Sequence, residues 1–161
     1  MPDQRPTQPL QAINPPGLYD PAPNGYSHLM ITPANARWLF VAGQGGEDTN
    51  GVLPADFADQ LTQCMKNLEY ALTVGGARFG QVAKLTVLVV DHSEARLALI
   101  SAALAKASQG NPAPACTLIP VPRLALDGML IEIDAVACLP ASKEQAAGKQ
   151  THKAISPLPR C

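Results

Sequence analysis

The stretch that most restricts this chain is Val82-Ala83-Lys84-Leu85-Thr86-Val87-Leu88-Val89-Val90. Successive side chains of a strand point to opposite faces, and here Leu85, Val87 and Val89 back onto Leu88 and Val90. A β-rich run that is apolar on both sides reads as a central strand buried on both sides. The rest of the chain must supply strands for its edges and cover for its faces. From Pro54 to Val74, Phe57, Leu61, Cys64/Met65, Leu68 and Ala71/Leu72 recur at helical spacing, with Pro54 near the start and Gly75-Gly76 at the stop. Asp91 or Ser93 can cap a second helix whose inward stripe is Leu97, Ile100, Leu104 and Ala107.

Strands account for the remainder. Ser27–Thr32 and Trp38–Ala42 flank the turn Pro33-Ala34-Asn35-Ala36, after which Gly43-Gln44-Gly45-Gly46 breaks the pattern. Gly110 to Pro114 is a loop, and Ala115–Val121 and Met129–Cys138 close the fold on either side of a turn near Asp127-Gly128. The order β-β-α-β-α-β-β has two helices, enough to cover one face of such a sheet. Further copies of the same chain are the simplest cover for the other face, so an obligate homo-oligomer is expected.

Composition narrows the function classes. With 161 residues and 47% apolar side chains the chain can build one core, and with 4% aromatics that core is aliphatic. Twelve Lys+Arg against 13 Asp+Glu, without a basic stripe, argue against nucleic acid as a partner. There is no apolar leader and no run long enough to span a bilayer, so neither secretion nor membrane insertion is expected. Cys64, Cys116, Cys138 and Cys161 have no paired spacing, and His28, His92 and His152 are scattered. The expectation is a reduced, cytoplasmic protein with no metal and no cofactor. Residues 1–25 hold seven prolines and read as an extended arm; 26–140 form one domain; 141–161 are polar and read as a flexible tail.

One strand carries chemistry. In Leu130-Ile131-Glu132-Ile133-Asp134-Ala135-Val136-Ala137, Glu132 and Asp134 share a face with Leu130 and Val136, while Ile131, Ile133, Ala135 and Ala137 form an apolar face. A carboxylate there is solvated, paired or lining a pocket, because burying it alone is costly. Glu132 is therefore either a surface or salt-bridged acid or the centre of a site.

Phe40-Val41-Ala42-Gly43-Gln44, Gln60…Asn67-Leu68…Leu72…Gly75-Gly76-Ala77, Val82-Ala83-Lys84-Leu85-Thr86-Val87 ending in Asp91, Pro114-Ala115-x-Thr117 and Glu132-Ile133-Asp134-Ala135-Val136-Ala137 follow one another in a specific order. From about Tyr26 to Ala137 the chain resembles the RidA (YjgF-like, reactive intermediate deaminase) family. The resemblance implies a chorismate-mutase-like α+β fold with a mixed sheet and two helices on one face. It also implies a homotrimer with small-molecule pockets at the subunit interfaces. Family members hydrolyse enamines and imines such as 2-aminoacrylate to a keto acid and ammonia. Some are labelled endoribonucleases, a role that nothing in this composition supports.

Carried over by position, the resemblance assigns the catalytic acid to Glu132, a substrate-facing hydroxyl to Tyr26 and a site-facing backbone N–H to Gly43. An acid of this kind needs a carboxyl raised toward working pH by an apolar pocket. The family's carboxylate-gripping Arg is replaced by Cys116, its Ser before the glycine by Ala42, and a common Asn of the second helix by Leu99. Losing an Arg–carboxylate fork removes roughly 1.5–3 kcal/mol, on the order of 10- to 150-fold in binding. Arg123 lies an odd number of residues from Cys116, on the other face of an unbulged strand, and offers no rescue. Cys116 would line the pocket either as a reactive thiol or as a small buried hydrophobe; a nearby Glu132 would raise its pKa, which favours the second. His28 reads as a rim residue or as a partly exposed strand histidine. Two functions follow: an imine or enamine hydrolase with little 2-iminopropionate deaminase activity, or a non-catalytic metabolite-binding or protein-interaction module.

Overall fold

The structure, a computed structural model, describes residues 10–141. The first nine residues of the expected arm, and the expected tail from residue 142 onward, lie outside the described residues. Six strands and two helices follow in the order β1 (Gln11–Ile13), β2 (Leu29–Ile31), β3 (Arg37–Gln44), α1 (Phe57–Val74), β4 (Val82–Val90), α2 (Glu94–Ser108), β5 (Ala115–Val121) and β6 (Ile131–Leu139). All seven elements expected from the sequence are present, preceded by one extra strand.

The main sheet has the order β3-β6-β4-β5. β6, last in the chain, inserts between β3 and β4 and runs antiparallel to both. β5 pairs parallel with β4, the geometry that a helical crossover through α2 permits. β4 is thus central, as its two-sided apolar pattern predicts, with neighbours on both edges. Its faces differ, however. Leu85, Val87 and Val89 are fully buried beneath the helices with Ile131, Ile133, Ala135 and Ala137 of β6, whereas Leu88 and Val90 are half-buried in the single chain.

α1 starts where Asp56 accepts from the backbone N–H groups of Ala58 (2.8 Å) and Asp59 (3.4 Å), satisfying donors that a helix start leaves free. It buries Phe57, Leu61, Cys64, Leu68 and Leu72. Gln60 is equally buried and reaches across the fold: Nε2 donates to the carbonyls of Pro54 (2.7 Å) and Gly128 (2.8 Å), and Oε1 accepts from Leu130 N–H (2.9 Å). That one side chain ties the start of α1 to the turn entering β6. α2 is capped by Ser93, which accepts from Arg96 N–H. Its buried line is Ile100, Ser101, Leu104 and Ser108, with Leu97 and Ala107 half-buried, so it is rotated slightly from the expected stripe.

One pairing differs from expectation. The strand around Leu29–Ile31 does not form a hairpin with β3 across Pro33–Ala36. It pairs antiparallel with Gln11–Ile13, a segment inside the Pro-rich arm. Just before it, Ser27 N–H donates to Pro114 carbonyl (2.9 Å) and bridges Ala115, drawing the end of the arm to the edge of β5.

Candidate functional site

The four residues singled out in the sequence fall into two groups on opposite sides of the sheet. Glu132 and Gly43 lie on the face that the helices leave open. Opposite Glu132 on β4 is Leu88, and opposite Asp134 is Thr86. The β3–β6 register shifts between Val41 and Gln44, so Ala42 and Gly43 together bulge against β6 beside Glu132. A β-carbon on Gly43 would coincide with Glu132 Oε1, and its next neighbours would be Glu132 Cδ (2.5 Å) and Cγ (2.7 Å). The glycine is needed for space, because the carboxyl of Glu132 lies where any side chain would stand. The other acid of this strand is fixed structurally: Asp134 Oδ1 accepts from Thr86 N–H at 3.1 Å.

Tyr26 and Cys116 lie elsewhere. Cys116 pairs in register with Leu85, which puts it on the helix-facing side, and it packs on the core with Leu118. Between α2 and edge strand β5 runs a cleft of about 270 Å³. Leu97, Ile100 and Leu104 of α2 form one wall, and Cys116 and Leu118 of β5 the other. Tyr19, Asn24, Tyr26 and His92 supply its polar rim. Burial pushes the Cys116 thiol up to about 11, with Lys84 pulling against it. Glu132 plays no part in that shift, contrary to the expectation that it would be the cause. β4 stands between the two strands, and the two side chains point to opposite faces. A neutral, half-buried thiol behaves as a small hydrophobe.

The rim contains residues that sequence reasoning missed. Tyr19 and Tyr26 hydrogen-bond hydroxyl to hydroxyl, and their rings meet edge-on at 6.5 Å between centroids. His28 packs against both rings, and its Nε2 bonds the carbonyl of Tyr19 at 2.8 Å. Tyr19 lay hidden in a segment whose prolines read only as an extended arm; its spacing of seven from Tyr26 carries no periodic signal. Arg123 is remote, exposed and paired with Asp127 at 3.1 Å. Leu99 is 44% exposed on α2, and Ala42 is exposed on the bulge. Among the described residues no three His, Cys, Asp or Glu side chains gather as a metal site requires, and no helix is long and apolar enough to cross a membrane.

Comparison with known proteins places this geometry. Residues 19–139 match the family model described as Endoribonuclease L-PSP. A RutC family protein of Pyrococcus horikoshii is 33% identical over 119 residues, covering 73% of this chain and 90% of its own. The chain belongs to the Rid (YjgF-like) family. Its fold superposes with a TM-score of 0.78 on YyfB of Yersinia pestis, a Rid family protein of unknown function, at 37% identity over 82% of this chain and all of that one. Escherichia coli TdcF, solved with bound serine, has the same fold at 22% identity and a TM-score of 0.58, over 83% and 99% of the two chains. The Rid match begins at Tyr19, so it takes in the rim tyrosine as well as the sheet and helices.

Proposed function

We propose that this Rid protein hydrolyses uncharged imines or enamines in a site completed by a neighbouring copy. The observation that carries the reading is the split of its site residues: an apolar cleft with phenols at one sheet edge, and a carboxyl seated over a glycine on the open face. One chain cannot bring these halves together. A second copy laid over the open face can, and a closed ring of three copies repeats the contact for every cleft. The large side chains left bare on and around that face, Phe40 at 75% and Trp38 at 49% exposure, favour such a cover.

In this site the cleft of one copy holds the organic part of the substrate, and Glu132 of the next acts on nitrogen. The carboxyl protonates the imine nitrogen, water adds to the carbon, and the water's proton returns to the carboxylate. The carbinolamine then takes that proton from the carboxyl at nitrogen and, as ammonia leaves, its hydroxyl proton passes to the carboxylate, leaving a ketone or aldehyde. One imine and one water thus give one carbonyl compound and one ammonia. With Cys116 in place of a guanidinium, nothing on β5 answers a substrate carboxylate, which favours neutral substrates.

The test is to generate imines in place and follow their decay. An amine oxidase supplies neutral imines, and an amino-acid oxidase supplies 2-iminopropionate. We expect the wild type to speed decay of the neutral imines, Glu132→Gln to abolish this, and 2-iminopropionate to respond feebly. Cys116→Arg should raise the 2-iminopropionate rate, by up to on the order of 10- to 150-fold. Strong wild-type turnover of 2-iminopropionate, or equal rates for wild type and Glu132→Gln, refutes the reading.

A further inference from the structure

We infer that Tyr19 is the specificity-determining residue of the cleft: paired with Tyr26, it receives the oxygen of an uncharged, ring-sized ketone, the carbonyl product of the proposed hydrolysis. This rests on the cleft being the substrate half of the site proposed above. Three observations lead to it.

The first is how Tyr19 is held. It is 61% exposed, yet it is anchored at both ends: its hydroxyl bonds that of Tyr26, and its carbonyl bonds His28 Nε2 at 2.8 Å. Turns on either side present it. Leu18 N–H donates to Pro15 carbonyl (3.0 Å), and Asp20 Oδ1 accepts from Ala22 N–H (3.1 Å). Tyr26 is positioned by the glycine before it: Gly25 has φ +73° and lies so close to α2 that a β-carbon would stand 2.8 Å from the Ser101 carbonyl. Neither ring is loosely placed, and the Tyr19 hydroxyl stands at the rim beside that of Tyr26.

The second is hydrogen-bond arithmetic. A phenol has one donor, so in a bonded pair one hydroxyl donates to the other and the second keeps its proton free. Accepting a bond strengthens a hydroxyl as a donor. With Tyr26 donating to Tyr19, the strengthened free donor is that of Tyr19, suited to a single C=O acceptor. It offers no fixed charge to a carboxylate. Among the described residues that line the cleft there is no Lys or Arg.

The third is size and surface. About 270 Å³ walled by Leu97, Ile100, Leu104 and Leu118 suits a compact apolar body. Because a cavity of about 150 Å³ takes up benzene, this one has room for roughly ten non-hydrogen atoms. A ring bearing one short acceptor arm meets both the volume and the single donor.

Three probes test this: acetophenone, its hydrocarbon match ethylbenzene, and its carboxylate match benzoylformate, each titrated into the full-length protein at neutral pH by ligand-observed NMR. We expect acetophenone to bind more tightly than either of the others. Tyr19→Phe should weaken acetophenone by about 2- to 13-fold, the worth of one neutral hydrogen bond, and leave ethylbenzene unchanged. Because ethylbenzene reports the shape of the cleft, a structural role for Tyr19 would move both. Acetophenone and ethylbenzene weakening together, or neither changing, overturns the role of Tyr19 and leaves the cleft reading standing. Tighter binding of benzoylformate overturns the neutral ligand class. If the wild type binds neither acetophenone nor ethylbenzene, the cleft reading falls and this inference with it.

Discussion

The two faces of β6 differ in almost every respect although they alternate residue by residue. Ile131, Ile133, Ala135 and Ala137 are fully buried under the helices, and their setting is complete within one chain. Glu132, Asp134 and Val136 are half-buried on a face where Phe40 stands 75% exposed. The covered face is the part of the molecule that makes it fold. The open face has acids, a bulge and bare aromatics, features a fold alone does not need. In the site proposed above, a second copy of the chain covers that face.

The sharpest way to break this contrast is to truncate one residue on each face. Ile133→Ala removes a fully buried side chain and should cost about 2–5 kcal/mol in urea denaturation, whatever the protein concentration. Phe40→Ser should leave the fold intact and show itself in mass, native mass spectrometry giving chiefly monomer where the wild type gives an oligomer. A wild type that is itself monomeric would remove the complement invoked for the open face.

A finer comparison stays on the open face. Asp134 is a structural acid, because its carboxylate answers the N–H of Thr86; Glu132 has no such bond among the described residues and is kept in place by the space over Gly43. Asp134→Ala leaves that amide unanswered and should cost about 1–3 kcal/mol. Glu132→Gln should shift stability by less than about 0.5 kcal/mol while removing imine hydrolysis. Gly43→Ala tests the seat: it should cut activity nearly as far as Glu132→Gln does, because the new β-carbon displaces the carboxyl. Equal stability losses for Asp134→Ala and Glu132→Gln would erase the distinction between the two acids.

How much of this was legible beforehand follows from what each signal depends on. The alternation of β6 and the stripe of α1 are local and periodic, so their faces could be assigned from the sequence alone. Pairing is not local. Nothing around Leu29–Ile31 names Gln11–Ile13 as its partner, and a turn such as Pro33–Ala36 suggests the nearer strand instead. The separation of Cys116 from Glu132 is likewise set by inter-strand register and by β4 lying between them, which a motif compared position by position does not display. Gln60 shows the same limit: within the helical pattern it is one polar residue among apolar ones, and its bonds to Gly128 and Leu130 exist only once the turn into β6 has closed.

The smallest effect concerns the thiols, where covered face and cleft can be compared with one reagent. Burial, helped by Glu47, pushes Cys64 up to about 12 from an ordinary 9.0, and burial pushes Cys116 up to about 11. Folding raises both values, so the protonated thiols stabilise the native state below about pH 9, and that contribution fades as pH climbs through the folded values. At pH 8 the reactive thiolate is on the order of one in a thousand at Cys116 and one in ten thousand at Cys64, as the distance of pH from pKa dictates. Iodoacetamide at pH 8 should therefore leave both nearly untouched in peptide mass maps. Raising the pH toward 10 should label Cys116 well before Cys64, whose sulfur is also engaged with the Gln44 carbonyl at 3.1 Å. Rapid labelling of Cys116 at pH 8 would mean a charged, solvated thiol, and the apolar wall that fits a neutral ligand would then be the wrong description of the cleft.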